Sequence, residues 1–263
     1  MRNEKNAVLV TGACINTGVA IVEKFAREGY NVIFTGRDEA KVSKKEAEYH
    51  QKYPSVHIVG YAIDSLLDEW TVDEASVEWM FSDIDEKGFF VETLVLNAAD
   101  QGLGMKIFES PLTDLMKVIN TNVVWNFCLA EHAAKRMKEQ GGGNIVFINS
   151  NTAYRAIPDR VAYVASKGGQ LGLMRALTLD LGKYNIRVNA VLPGMIKTDR
   201  WEKNPEFYQS VPSRFTPIGD VAVGADVADA VYYFAAHARN TTGAELVVDG
   251  GNTVQLYPMI PTT

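Results

Sequence analysis

Short apolar runs alternate with longer amphipathic stretches along the whole 263-residue chain. Runs at 7–11, 31–35, 56–63, 93–97, 144–149, 187–192 and 245–248 are rich in Val, Ile and Phe, with little polar alternation. Strands covered on both faces read this way, because neither face meets water. The intervening segments 19–27, 39–52, 74–87, 112–138, 161–183 and 226–236 space their apolar residues as helices do. Strand–helix alternation implies right-handed crossovers, so the pattern predicts an α/β fold: a doubly wound, seven-stranded parallel sheet with helices on both faces. With no internal repeat and no Pro/Ser-rich linker, residues 1–263 form a single domain. The stretch at about 194–224 fits neither pattern. It carries Trp201, Phe207, Tyr208 and Phe215 among three prolines, the composition of a lid.

Composition narrows the function classes. Apolar residues make up 47% and charged residues 22%, ordinary for a globular domain long enough to fold without disulfides or metal. The net charge of −6 argues against nucleic-acid or anionic-membrane partners, which call for a basic surface. Cys14 and Cys128 form no spacing motif and read as reduced thiols. The longest uncharged stretch, 6–22, is interrupted by Thr11, Gly12, Asn16 and Gly18, too polar for a membrane helix, so a cytoplasmic location is expected. His50, His57, His132 and His237 are scattered without ligand spacing, and no metal site is expected.

Candidate chemistry begins at the first strand–helix junction. Thr11-Gly12-Ala13-Cys14-Ile15-Asn16-Thr17-Gly18 leads into Val19-Ala20-Ile21-Val22. Gly12 permits a sharp exit from the strand, Gly18 permits close packing of the following helix, and the helix N-terminus offers N–H groups to a pyrophosphate. This is the Rossmann arrangement, although two glycines alone also suit an ordinary turn. The second strand ends Thr35-Gly36-Arg37. NAD sites usually place a carboxylate there for the ribose 2′-hydroxyl, whereas a guanidinium suits a 2′-phosphate. Arg37 therefore favours NADP, with NAD as the alternative.

Tyr163 and Lys167 stand four apart in a helical stretch, on one face. A phenol titrates near 10, and a neighbouring ammonium lowers that value toward usefulness as an acid and base. Ser150 follows the fifth strand at the carboxyl edge of the sheet, where ligands bind. Asn122 sits inside a predicted helix where its side chain has no evident stabilising role.

Asn122, Ser150, Tyr163 and Lys167 in this order resemble the catalytic tetrad of the short-chain dehydrogenase/reductase family, single-domain type. The resemblance extends over nearly the whole chain. It implies an oxidoreductase with a cofactor turn at Gly12, Asn16, Thr17 and Gly18, where Asn16 stands in place of the middle glycine. Asp64, with Ser65 beside it, matches the contact to the adenine amino group. Asn97, Ala98 and Ala99 match the segment beneath the adenine, with Ala99 replacing a glycine. Pro193 and Gly194 open the lid, Ile196 would hold the nicotinamide amide by its backbone, and Thr198 would reach a cofactor phosphate. Tyr163 would serve as acid and base, Ser150 would bond the substrate oxygen, and Lys167 would bond the nicotinamide ribose. Asn122 would hold a water linking Lys167 to solvent. The segment between Asp64 and Asn97 is longer than is usual, implying an extended helix near Trp70 and Trp79.

The implied substrate is a ketone or secondary alcohol: steroid-like, a sugar or polyol, or a β-keto ester. Asn151, Arg155, Trp201, Phe207 and Tyr208 are the candidate substrate contacts, and Tyr154 lies close by. Two alternatives remain open. A 3-oxoacyl thioester reductase would resemble family members with arginines at positions that here hold Gly141 and Tyr184. A non-catalytic NADP sensor would have no need of Tyr163 or Lys167. The resemblance also implies a homotetramer, or a homodimer, built on the helices at 112–138 and 161–183. The apolar tail 254–260 would cover a neighbouring subunit.

Overall fold

The computed structural model describes residues 5–203, 205–206 and 212–256. Strands β1 (Asn6–Val10), β2 (Asn31–Gly36), β3 (Ile58–Ala62), β4 (Phe90–Leu96), β5 (Gly143–Ile148), β6 (Ile186–Pro193) and β7 (Glu245–Val248) form one sheet. Its order is β3-β2-β1-β4-β5-β6-β7, and every pairing is parallel. The order reverses between β1 and β4, which opens a crevice at the carboxyl ends of those strands, the usual ligand position in such sheets.

The uniform apolar character of the strands follows from coverage on both sides. Ala7, Leu9 and Ile33 point to one face, where they join Met80, Phe81, Leu129 and Phe147 in one buried cluster. Val8, Val10, Val32 and Phe34 point to the other and join Ile21, Phe25, Tyr49 and Val231. Successive side chains on a strand face opposite sides, so neither set includes a solvent-facing row. Helices α1 (Asn16–Arg27), α2 (Glu39–Lys52) and α9 (Gly224–Tyr232) supply the second cluster. Helices α3 (Glu74–Glu86), α5 (Trp125–Glu139) and α6 (Val161–Leu181) supply the first. Each Leu, Ile or Phe so buried contributes on the order of 1.5–3 kcal/mol.

Several boundaries differ from the sequence expectation for local reasons. The segment 112–138 is α4 (Leu112–Ile119) and α5 joined through one widened turn, Asn120–Val124, rather than a single regular helix. The long segment after Asp64 does not extend a helix back to Trp70. It forms a small excursion closed by an antiparallel bridge between Leu66 and Val72, with the Asp68 carboxylate accepting from the N–H groups of Trp70 and Thr71, both at 2.8 Å. Helix α3 starts only after Asp73 caps Ser76 at 3.0 Å. Asn120 in the widened turn donates to the carbonyls of Glu69 and Trp70, both at 3.2 Å, docking the excursion onto that turn.

The segment 194–224 contains α7 (Asp199–Lys203) and α8 (Pro212–Phe215), so the irregular composition conceals short helices. Phe207 and Tyr208 lie outside the described residues, as does most of the apolar tail; Val254 and Leu256, at its start, are exposed. Among the described residues, no helix is long and apolar enough to cross a membrane.

Candidate active site

The first wall of the crevice is the turn between β1 and α1. Gly12 takes φ +63°, and a Cβ there would sit 2.8 Å from the Cα of Ala98. The turn thus lies against the end of β4 at a distance only hydrogen permits. Asn16 adopts φ +47°, the left-handed conformation that asparagine tolerates better than most residues, and so stands in for a glycine. At Gly18 a Cβ would meet the Ala13 Cα and the Gly12 carbonyl oxygen, both at 2.6 Å. Helix α1 begins with no side chain capping its first N–H groups. Asn16, Thr17, Lys197, Thr198 and Gly224, with the carboxylates of Glu23 and Asp199, border a groove of about 410 Å³ at this helix start. Uncapped donors beside an open groove fit a pyrophosphate.

Asn97 serves this turn structurally. Its Nδ2 donates to the carbonyls of Thr11 at 2.9 Å and Gly12 at 3.1 Å, while Thr11 Oγ1 accepts from the backbone N–H of Asn97 and Ala98, both at 3.0 Å. Ala98 is half-buried against Gly12, and Ala99 is exposed at the crevice edge. Asp64 is exposed just beyond β3 and accepts the N–H of Ser65 at 2.7 Å, whereas Ser65 is buried with its hydroxyl on Thr121 Oγ1 at 3.1 Å. Arg37 is exposed at the end of β2. At Gly36 an added Cβ would stand 2.4 Å from Cys14 Sγ and 2.8 Å from Val42 Cγ2, so no side chain fits there without rearrangement. Burial pushes the Cys14 thiol up, and Lys45 and Lys41 nearby pull it back. Both lysines are paired, Lys41 with Asp38 at 3.8 Å and Lys45 with Glu48 at 2.7 Å.

The second wall is built from α6, the end of β5 and the widened turn. Ser150 follows β5 and caps a short turn, its Oγ accepting from Thr152 N at 3.2 Å. Its hydroxyl neighbours the Tyr163 phenol and favours the ionised form of that phenol. Burial raises the Tyr163 pKa; the Ser150 hydroxyl and the charge of Arg160 oppose the rise. Lys167 is fully buried, its Nζ 5.5 Å from the centre of the Tyr163 ring, donating to the Ile148 carbonyl at 2.9 Å and Gln170 Oε1 at 3.0 Å. Desolvation brings its pKa down to about 7. Ionisation of the phenol would favour the charged amine beneath it, so the two protons are coupled.

Asn122 lies in the widened turn, completely buried. Its Oδ1 accepts from Asp100 N at 2.7 Å, and its Nδ2 donates to the Asp100 carbonyl at 2.8 Å and Ser166 Oγ at 2.9 Å. The side chain that had no evident role inside a helix therefore clamps the β4 exit loop to α6. Its main-chain carbonyl accepts from Gln170 Nε2 at 2.7 Å and Asn126 Nδ2 at 2.9 Å. Sequence reasoning passed over Gln170 and Asn149. The signal was available: Gln170 is three residues after Lys167, on the same helical face, and is a polar residue at a position that only burial explains.

The three described substrate candidates, Asn151, Arg155 and Trp201, are each engaged elsewhere. Asn151 donates to Asn252 Oδ1 at 2.9 Å and Asp249 Oδ2 at 3.3 Å, and Arg155 donates to the Thr253 carbonyl at 3.0 Å. Both thereby hold the turn after β7. Tyr154 bonds the Glu245 carboxylate rather than facing the crevice. Trp201 is half-buried and its indole N–H donates to the Ile196 carbonyl at 3.1 Å, tying α7 to the strand exit. Pro193 ends β6, and Gly194 closes against Asp249, where a Cβ would lie 2.6 Å from the Asp249 Cβ.

Away from this wall, Glu74, Cys128 and His132 bring ligand atoms within 4.8 Å of one another. Cys128 and His132 stand one helical turn apart on α5. Ligands round a tetrahedral zinc stand about 3.5 Å apart, and His132 Nδ1 already faces Glu78 at 3.4 Å, so this is a looser grouping than a formed site.

Comparison with known proteins bears on this geometry. A family model described as Enoyl-(Acyl carrier protein) reductase matches residues 12–253. The chain is a short-chain dehydrogenase/reductase. Within this oxidoreductase family it is 34% identical to a 3alpha-hydroxysteroid dehydrogenase of Mediterraneibacter gnavus, over 94% of this chain and 96% of that protein. It is 31% identical to the 3-oxoacyl-[acyl-carrier-protein] reductase MabA of Mycobacterium tuberculosis, over 93% and 92% respectively. Among solved structures, ElxO with NADP bound superimposes with a TM-score of 0.85 at 29% identity, covering 95% of this short-chain dehydrogenase/reductase and 100% of that chain.

Proposed function

We propose that this short-chain dehydrogenase/reductase interconverts a ketone and a secondary alcohol with NADP(H) as cofactor. The observation that carries this reading is the Tyr163 phenol beside the Ser150 hydroxyl, with the buried amine of Lys167 beneath its ring. The cofactor fits the turn: Gly12 and Gly18 let its backbone pack tightly where a Cβ would overlap Ala98 or Ala13, and the uncapped start of α1 borders the groove lined by Thr17 and Thr198. Asp64 and the main chain at Ala98 and Ala99 would border the adenine, and the Ile196 backbone the nicotinamide amide. Arg37, with Lys41 and Lys45 on the Cys14 side, suits a 2′-phosphate, and Gly36 presents no carboxylate for the hydroxyl pair of NAD. The NADP-bound neighbour supports the same choice, with NAD as the second cofactor. When bound, the nicotinamide supplies or accepts the hydride.

The protein's own residues handle the proton. In reduction Tyr163 donates its hydroxyl proton to the carbonyl oxygen, and Ser150 hydrogen-bonds the same oxygen as charge develops there. Lys167 favours the resulting phenolate and carries its charge at low cost only while the phenolate is present. Oxidation reverses each step. Substrate selection falls to the lid, since Asn151, Arg155 and Tyr154 are engaged elsewhere. The test is nicotinamide absorbance at 340 nm across ketones and alcohols, including hydroxysteroids and polyols. Tyr163→Phe is expected to lose turnover while retaining NADPH binding; unchanged turnover removes Tyr163 from the mechanism.

A second reading is reduction of 3-oxoacyl thioesters, supported by the likeness to MabA. The nitrogens of Lys138 and Lys183 lie 4.8 and 5.1 Å from the centre of the Tyr184 ring, a basic pair where family members place one of two arginines. Activity on an acyl-carrier-protein thioester well above that on the free ketone would establish it. The alternative of a non-catalytic sensor draws no support from the relatives. Assembly into a homotetramer, or a homodimer, through α4, α5 and α6 is proposed from the exposed Val124, Phe127 and Leu179. A solution mass of a single 29.0 kDa chain would contradict it.

A further inference from the structure

Gln170 is completely buried between Lys167 and Asn122, and nothing in the proton transfer derived so far uses it. Its Oε1 accepts from Lys167 Nζ at 3.0 Å and from Asn149 Nδ2 at 3.2 Å. Its Nε2 donates to the Asn122 main-chain carbonyl at 2.7 Å. The surroundings fix the amide's orientation: reversed, it would set N–H donors against an amine and another amide, and an oxygen against a carbonyl. Asn126 Nδ2 donates to the same Asn122 carbonyl at 2.9 Å. A carbonyl oxygen has two lone pairs, and both now face a protein donor. A water bonded at that oxygen would have to displace one of them.

We propose that Gln170 is a positioning residue for the acid–base pair, clamping the Lys167 amine to the Asn122 carbonyl through its own side-chain amide in the place a bridging water would take. The clamp fixes the amine from below with two protein acceptors, Gln170 Oε1 and the Ile148 carbonyl, and leaves its third N–H for the side where Tyr163 and a ligand lie. An acceptor on the amine favours its charged form, the form on which Tyr163 ionisation depends. Among the described residues, Tyr163 on α6 is the titratable group facing this amine. The end of β5 presents the Ile148 carbonyl and Asn149, and the widened turn presents Asn122, none of them charged. Arg160 acts on the phenol.

The inference rests on the ketone–alcohol reading, which wild-type turnover tests by itself; the variants test only the clamp. Gln170→Met keeps the length of the side chain and removes both polar contacts. Alcohol oxidation is followed from pH 6 to 10 beside wild type, with NADPH binding measured by fluorescence. The expected result is a kcat at pH 7 lowered about tenfold, with the acid limb of the kcat profile moved about one pH unit upward and NADPH affinity little changed. A purely structural role would lower the melting temperature and leave the limb in place. Gln170→Asn, which keeps the amide but shortens its reach, is the second variant should the methionine form fail to fold, and the same upward movement is expected. A limb that superimposes on wild type in either folded variant overturns the proposal.

Discussion

Gly36→Asp is the substitution that would ordinarily introduce a carboxylate for the ribose of NAD, and here the packing opposes it. The new Cβ would lie 2.4 Å from Cys14 Sγ and 2.8 Å from Val42 Cγ2, against normal contacts of about 3.5–4.0 Å. Overlaps of this size cost about 1–3 kcal/mol in a packed interior. Replacing a glycine inside a strand returns about 0.5–1 kcal/mol, because the unfolded chain loses freedom. The net destabilisation is thus about 1–2 kcal/mol, or a melting temperature lowered by roughly 2–8 °C for a chain of this size. Thermal unfolding by circular dichroism measures it, and fluorescence titration with NADH and NADPH measures the effect on the cofactor. Cys14→Ala removes the nearer obstacle, so the double variant should recover stability with a coupling of about 1 kcal/mol. NADH binding should improve only in that double variant. A single Gly36→Asp variant that melts with wild type and gains NADH affinity would refute the reasoning.

Other consequences follow from the same site. Lys167 has a folded pKa of about 7 against an ordinary 10.5, so the unfolded chain binds the extra proton between those values. Stability should therefore rise with pH through that window, by at most about 3–5 kcal/mol in the cofactor-free protein. Melting temperatures at pH 7 to 9, below the titration of the buried Cys128 thiol, should climb in wild type and stay flatter in Lys167→Met; parallel slopes would contradict this. Gly18→Ala would push its methyl against backbone atoms of Ala13 and Gly12 at 2.6 Å, and NADPH affinity is expected to fall about tenfold or more, read by fluorescence titration. Asn122→Leu would leave the N–H and carbonyl of Asp100 without their side-chain partner, at a cost of about 2–4 kcal/mol. Urea unfolding checks the figure, and an unaltered midpoint would show the clamp to be dispensable.

The order of strands and helices was legible in the chain because burial on both faces writes itself locally, as unbroken apolar runs such as 7–10 and 145–148. So were the turn glycines and the pair Tyr163 and Lys167, since backbone freedom and one helical turn are properties of adjacent residues. The fates of Asn151, Arg155 and Gln170 were not. Each depends on which polar group stands across from it, and those groups come from Asn252, Thr253 and Asn122, distant in sequence and adjacent only after β5, β7 and α6 have packed. The widened turn at Asn120–Val124 belongs to the same class, because one helix yields there to dock Asn122 on Asp100 and Asn120 on the excursion after Ser65. Periodicity reports which side of an element avoids water. Hydrogen-bond partners inside that dry volume are chosen by tertiary packing, where an unmatched donor is too costly to leave.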